Sequence, residues 1–201
     1  MKYYLKKFLF LFVYVIMMDI VSFGAISIQT ELWVRVLLSI LSIAMYLLIV
    51  VIFGYAEGKL AEKALFSNDN NRRFIIETGK DIPLKEHEEF KAWKGFVIGA
   101  SACFPMILGL IVHLIVYLCT GTVTAVGGAT SICYMLFYAP IFAGYLVSET
   151  TAPWASYFIM LYGVVATTLS FGISYIAGAA KMRKEYDKIR EKQKTIYGEQ
   201  N

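Results

Sequence analysis

The sequence predicts an all-α integral membrane protein, and three observations lead to this fold class. Of its 201 residues, 58% are hydrophobic, and the mean hydropathy is +0.61. The 86 residues of 95–180 contain a single Asp, Glu, Lys or Arg, namely Glu149, whereas a surface in water needs far more polar cover. The apolar runs continue for about 20 residues, which suits a membrane-spanning helix, whereas the strands of a membrane barrel alternate over about 10.

Four apolar segments have the length of a membrane-spanning helix. They are residues 8–28, 32–54, 95–119 and 157–180. Trp33 and Tyr55 stand at the two ends of the second segment, and such aromatic side chains are typical of the headgroup region. The first segment follows three lysines and has a cleaved signal peptide as its alternative interpretation. Asp19 inside the segment and its full spanning length favour an uncleaved helix.

A fifth apolar segment, residues 132–147, is predicted not to cross the membrane. It has only 16 residues and contains Pro140 and Gly144, whereas a crossing helix needs about 20 residues. Irregular backbone at membrane depth is tolerated where protein or a water-filled cavity surrounds it. We therefore expect a re-entrant or interfacial segment on the outer side.

The distribution of positive charge predicts the topology. Of the 19 Lys and Arg residues, three lie in residues 1–7, eight in 55–94 and seven in 181–201. Positive residues near the ends of spans are retained on the cytoplasmic side, so all three regions are expected there. With 132–147 not crossing, two spans separate each region from the next. The prediction is a single multi-pass domain of the cell membrane, with four spans and cytoplasmic N- and C-termini.

Two charged regions are predicted to be helical and to lie in the cytoplasm. In the loop 55–94, helices are expected over 57–66 and 84–94, separated by a turn cluster at 67–71. The tail 181–201 contains a short heptad seam, which we expect to rest on that loop because two heptads are too few for a stable coiled-coil dimer. The seam consists of Met182, Tyr186, Ile189, Gln193 and Ile196.

Asp19 is the strongest single candidate for a functional residue. It lies about 16 Å into the first span at 1.5 Å per residue, which is close to the bilayer centre. The same depth in the second and fourth spans contains Tyr46, Thr167 and Ser170. A charge at this depth costs roughly 2.5–3.5 kcal/mol, so the layer is a hypothetical site for a substrate or a proton. The alternative is that Asp19 is protonated, or hydrogen-bonded to a hydroxyl, and only holds the helices together.

Two stripes of small residues are predicted to be helix-packing surfaces. Gly95 and Gly99 are four residues apart in the third span, and Ser170, Ser174 and Gly178 keep the same spacing in the last span. Small residues allow helix backbones to approach closely where lipid gives no hydrophobic drive to associate. We expect these two spans to pack on each other, with homodimerisation as the alternative.

Two short stretches resemble an element that recurs in small uncharacterised polytopic membrane proteins of Gram-positive bacteria. They are KGFVIG at residues 94–99, followed by Pro105 and an apolar run, and GISYIAG at residues 172–178, before a basic tail. The resemblance implies no activity, because that group has no assigned one.

Signatures of catalysis are weak in this sequence. His87 and Glu88 begin like the helix motif of a zinc protease, but Lys91 stands where the second His ligand would be. Cys103, Cys119 and Cys133 are scattered and form no CxxC pair. We therefore expect no catalytic residues, metal or other cofactor, and no nucleic-acid partner.

The expected function is that of a non-enzymatic membrane component. Such a component would be an accessory subunit or scaffold for another membrane protein, with the lipid bilayer and a protein partner or a second copy as its contacts. The alternative is a small transporter or permease subunit that uses the polar layer around Asp19.

Overall fold

The structure is a computed structural model that describes residues 31–104 and 155–197, together with separate residues between 6 and 17 and between 107 and 119. These described parts are helical, without strands, which confirms the all-α class. The helices are α1, Leu32–Thr78; a short 3-10 helix, Glu86–Glu88; α2, Ala92–Ala102; and α3, Ala155–Tyr197. Asp19, Pro105 and the segment 132–147 lie outside the described residues.

Two of these helices are long and apolar enough to cross a membrane, over Ile40–Thr78 and Leu161–Lys192. α1 has 47 residues and α3 has 43, so they are about 70 Å and 65 Å long at 1.5 Å per residue. Each is about twice the thickness of a hydrocarbon core of about 30 Å. Each helix therefore has an apolar half, residues 32–54 of α1 and 155–180 of α3, and a charged half that continues from it.

The contacts between the helices define their directions. Tyr46 contacts Thr167 and, further along both helices, Glu62 contacts Arg183. Contacts between α1 and α3 therefore follow the same order along the two helices. α1 and α3 are therefore parallel, and their charged halves lie at the same end. Contacts of α2 with α3 run in the opposite order, since Gly95 lies against Tyr175 and Gly99 against the earlier Thr168. α2 is antiparallel to both long helices.

The axes of α1 and α3 approach so closely that glycine is required at the contact. A Cβ on Gly58 would overlap the carbonyl oxygen of Tyr175, and a Cβ on Gly178 would overlap the carbonyl oxygen of Tyr55. One turn before Gly58, a Cβ on Gly54 would lie 2.7 Å from the carbonyl oxygen of Phe171. The contact is thus made between backbones, a geometry that only small residues permit.

The predicted turn cluster at 67–71 is wrong, because α1 runs through it to Thr78. Asn and Asp usually disfavour helices since their side chains compete for nearby backbone groups. Here the side chain of Asn68 is buried and bonds distant partners, the carboxylate of Glu89 and the backbone N–H of Lys85. The helix ends at Gly79, whose φ of 69° suits a residue without a Cβ.

The predicted helix over 84–94 is also wrong. The chain forms only the 3-10 turn Glu86–Glu88, and α2 begins at Ala92 after an extended Lys91. The backbone N–H of Phe90 donates to the carbonyl of Ala61 in α1 at 3.1 Å instead of to a carbonyl of its own segment. A tertiary hydrogen bond has thus replaced the local one that a helix would need.

Candidate functional site

Among the described residues of the predicted polar layer, two form a buried pair of hydroxyls. Tyr46 and Thr167 are 2% and 0% exposed, and their oxygens are 3.0 Å apart, so either hydroxyl can donate to the other. The ring of Tyr14 stacks on that of Tyr46 with 6.3 Å between centroids. Ser170, the other predicted member in the described residues, is half-buried and lines a groove between α1 and α3.

A thiol at the end of α2 lies near this contact. The side chain of Cys103 is buried, and its Sγ donates to the backbone carbonyl of Val164 in α3 at 4.0 Å. α2 is interrupted at Cys103, where a turn separates Ala102 from Phe104, and the backbone N–H of Ile107 donates to the carbonyl of Cys103 at 2.9 Å. Side chains of α1, the end of α2 and α3 therefore come together at this level of α3.

Four of the five small residues predicted for packing lie at helix contacts, whereas Ser170 lines the groove between α1 and α3. Gly95 and Gly99 face α3, where added Cβ atoms would lie 2.8 Å from the ring of Tyr175 and 3.1 Å from the Cα of Thr168. Ser174 and Gly178 face α1, and the hydroxyl of Ser174 donates back to the carbonyl of Phe171 at 3.0 Å. The α3 stripe thus packs mainly on α1, while α2 uses the neighbouring face of α3.

The partner of that stripe on α1 is a pair of glycines that was not predicted from the sequence. Gly54 and Gly58 are four residues apart, the same small-residue spacing as in the other two stripes. This spacing is visible in the sequence, but Gly54 ends the predicted second span whereas Gly58 lies in the predicted charged loop. Since α1 continues through that boundary without a break, the two glycines belong to a single packing face.

The charged halves of α1 and α3 are joined by an ion pair and a ring stack. Arg183 donates from Nε and Nη2 to the two carboxylate oxygens of Glu62, at 2.8 Å and 3.1 Å. Hydrogen bonding to Glu62 raises the pKa of Arg183. One turn further, the rings of Phe66 and Tyr186 stack with 4.0 Å between centroids, and the guanidinium of Arg190 lies 5.1 Å from the Phe66 centroid.

The predicted heptad seam therefore packs on α1 in part. Tyr186 stacks on Phe66, and Met182 one turn earlier is half-buried. Ile189 in contrast is 50% exposed. The side chains of Gln193 and Ile196 lie outside the described residues. Within the described residues, the seam thus contacts α1 at Tyr186 and leaves Ile189 half-exposed.

A network of polar side chains fastens the segment between α1 and α2 onto α1. The carboxylate of Glu89 accepts from Asn68 Nδ2 at 2.9 Å and from Arg72 Nη2 at 2.6 Å. Arg72 also donates to Asp69 at 2.9 Å. Glu89 and Asn68 are buried, so their mutual bonding offsets the loss of water that burial imposes.

Lys94 closes the same segment from the α2 side. It is 4% exposed, and its ammonium donates to the carbonyls of His87 at 2.9 Å and Glu89 at 2.6 Å. Burial lowers the pKa of Lys94, the charge of Lys91 adds to that effect, and Glu89 opposes it. The carbonyl of His87, within the 3-10 helix, and that of Glu89, just after it, thus both receive a donor from the side chain of Lys94.

These polar contacts are of the kind that holds helices together. The hydroxyls of Tyr46 and Thr167 bond each other, and the carboxylates of Glu62 and Glu89 bond arginines. Among the described residues, no group of three His, Cys, Asp or Glu side chains could hold a metal ion. Comparison with models of protein families, with curated proteins and with solved structures finds no match to this chain.

Proposed function

We propose that this is a multi-pass protein of the cell membrane with four spans and both termini in the cytoplasm. The parallel arrangement of α1 and α3 supports the proposal, because it brings the charged regions 55–94 and 181–201 to the same end of the molecule. Retention of positive charge on the cytoplasmic side requires that arrangement. The antiparallel α2 is consistent with a third span that starts from the same side.

Within the membrane we propose a non-enzymatic role, as an accessory subunit or scaffold for another membrane protein. The observation that carries this proposal is the backbone contact between α1 and α3 at Gly58 and Gly178, continued by the Glu62–Arg183 ion pair. A closely packed core has few alternative arrangements, so we expect the two helices to behave as one rigid body across the boundary between their apolar and charged halves. Such a body suits holding a partner in position.

The charged half of α1 offers a surface for that partner. Near its end, Ile76 is 82% exposed and Phe74 is 42% exposed, in a stretch that is otherwise rich in charged and polar residues. The two side chains are two residues apart and therefore lie on different faces of the helix, so we place the contact on the face of Ile76, the more exposed of the two. We assign the partner-binding surface to this end of the helix pair.

The test is affinity purification in mild detergent with quantitative mass spectrometry of co-purifying proteins. The wild type is compared with Ile76→Ser and with Asn70→Ser, a control at another exposed position of α1. A partner of this surface should be lost by about tenfold or more from Ile76→Ser, as happens when an interface anchor is truncated, and retained by Asn70→Ser. The scaffold proposal fails if wild type and Ile76→Ser recover the same proteins in equal amounts.

A transporter subunit is the second candidate, favoured by the buried polar contact of Tyr46 and Thr167 at the predicted depth of Asp19. Asp19→Asn keeps hydrogen bonding but removes titration, so packing should survive this change whereas proton coupling should not. Asp19→Leu removes both. If both variants fold and lose the phenotype of the wild-type gene, the transporter is supported; if Asp19→Leu keeps full function, the transporter is excluded.

A further inference from the structure

We infer that an open groove between α1 and α3 binds one phospholipid with a negatively charged headgroup. In this arrangement an acyl chain lies along the groove, and Lys59 and Lys181 bind the headgroup phosphate. The inference needs the proposed membrane placement but no protein partner, so its failure leaves the comparison of Ile76→Ser with Asn70→Ser intact.

The groove lies beside the glycine contact and has a volume of about 600 Å³. Val51 and Tyr55 line it from α1, and Ser170, Ile173, Ser174 and Ala177 line it from α3. The small side chains on α3 make the hollow, since bulkier residues there would fill the space between the helices. The face of α3 that α2 covers is a different one, which includes Phe171 and Tyr175.

The groove has the length and the polarity that an acyl chain needs. Along α3 it extends from Tyr162 to Ala177, which is about 22 Å at 1.5 Å per residue. One leaflet of a hydrocarbon core of about 30 Å accounts for about half that thickness. The lining is mostly apolar, and Ile173 on its rim is 60% exposed. In a bilayer, lipid is the solvent that contacts such a surface.

Two lysines stand at the end of the groove where the charged halves begin. Lys59 follows Tyr55 by one turn, and its ammonium lies 5.2 Å from the centroid of the Tyr55 ring, which lines the groove. Lys181 follows Ala177 by one turn on α3 and is exposed. Residues four apart lie on the same helix face, so the two lysines flank the opening.

Lys59 and Lys181 place two positive charges at this opening, with Glu185 one turn further along α3, and the pair of lysines favours an anionic ligand. Glu62, the acidic residue nearest along α1 after Lys59, has both carboxylate oxygens bonded to Arg183. Lysines next to a membrane surface attract anionic lipid headgroups, and the attraction is additive over the lysines present. A second copy of the chain packed by a two-fold axis on this groove would instead bring the lysines of both copies together, which like charges disfavour.

The test is native mass spectrometry of the full chain in detergent, titrated with phosphatidylglycerol or with phosphatidylcholine of the same acyl chains. We expect one tightly bound phosphatidylglycerol and weaker binding of phosphatidylcholine. Lys59→Ala with Lys181→Ala should reduce the preference by about fivefold for each lysine removed. The control replaces Lys80 and Lys192, exposed lysines that lie further from the groove, and should keep the preference.

A second variant tests the groove independently of the charge. Ala177→Leu adds bulk inside the hollow and should weaken binding of both lipids while leaving their ratio unchanged. The lysine variants lie at exposed or half-exposed positions, so their helicity should match the wild type by circular dichroism. Equal affinity for the two lipids in the wild type, unchanged preference in the lysine variant, or a dimer that Ala177→Leu dissociates would each overturn the inference.

Discussion

Gly58 in α1 and Tyr175 in α3 pack backbone against backbone, because a Cβ atom on Gly58 would overlap the carbonyl oxygen of Tyr175. The contact is reciprocal, since Gly178 of α3 meets the carbonyl of Tyr55 in the same way. Each helix thus places a glycine against a backbone carbonyl group of the other helix. This double contact fixes both the distance between the helices and their register.

The first prediction concerns the size of the residue at this contact. Gly58→Ala should lower the free energy of unfolding by about 1–3 kcal/mol, because overpacking forces the backbones apart. This loss should appear although alanine is by itself the better helix former by about 1 kcal/mol. Ala56→Leu adds more bulk at an exposed position of the same helix and should melt like the wild type in detergent. A Gly58→Ala protein at least as stable as wild type would contradict the backbone contact.

The second prediction concerns the buried hydroxyl pair. In a double-mutant cycle of Tyr46→Phe and Thr167→Val, the coupling free energy should be about 0.6 kcal/mol and no more than about 1.7 kcal/mol, as for other hydrogen bonds between membrane helices. Unfolding in a denaturing detergent, followed by circular dichroism, measures it. Thr168→Val with Tyr46→Phe is the control cycle and should show no coupling. Additive effects in the first cycle would mean that the bond contributes nothing.

The third prediction compares two neighbouring carboxylates. Glu89→Gln removes the charge that Arg72 and Asn68 bond, so it should cost about 1–2 kcal/mol, since bonds to charged groups exceed neutral ones by about that much. Residues 79–91 should then exchange their amide hydrogens faster. Glu88→Gln is the matched control, because Glu88 is half-exposed and its carboxylate lies 3.7 Å from Nε2 of His87. Equal exchange in both variants would show that the network does not hold the segment.

The fourth prediction gives the sign of a pH dependence. The folded chain binds the proton of Lys94 more weakly than an unfolded chain, whose lysine pKa is about 10.5. The unfolded state therefore binds more protons between the lowered pKa and 10.5, and the free energy of unfolding should rise with pH across that window. The neutral amine can still donate to both carbonyls. The measurement is the difference in free energy of unfolding between wild type and Lys94→Met as a function of pH. If that difference falls with rising pH over this window, burial does not lower the pKa of Lys94.

The fifth prediction concerns topology. In a cysteine-free background, Lys80→Cys and Lys192→Cys should both resist an impermeant thiol reagent in intact cells and react after permeabilisation. Lys2→Cys should behave in the same way, whereas Thr122→Cys should react from outside. Lys80 and Lys192 are exposed, so their protection would come from the membrane. Labelling of Lys192→Cys in intact cells would mean that 132–147 crosses the membrane, and the four-span topology would be excluded.

Local pattern within the sequence determined the helical class and the boundary between apolar and charged stretches. Uninterrupted apolar runs leave the backbone no partners but its own, so helices follow from composition without any tertiary contact. The spacing of Gly95, Gly99, Ser174 and Gly178 likewise marked faces that lie at helix contacts. Each of these features depends only on residues within one segment, so the sequence of that segment is enough to predict it.

Tertiary structure decided which groups pair across the chain. The segment 67–71 is helical because Asn68 bonds Glu89 and Lys85, 21 and 17 residues away. Local helix propensity takes no account of partners at that distance in the sequence. Phe90 leaves the predicted helix because its N–H bonds Ala61 in α1. Tyr46 bonds Thr167 across 121 residues of sequence, a choice that depends on the parallel register of α1 and α3. Propensities of well under 1 kcal/mol per residue give way where buried polar groups must find a partner.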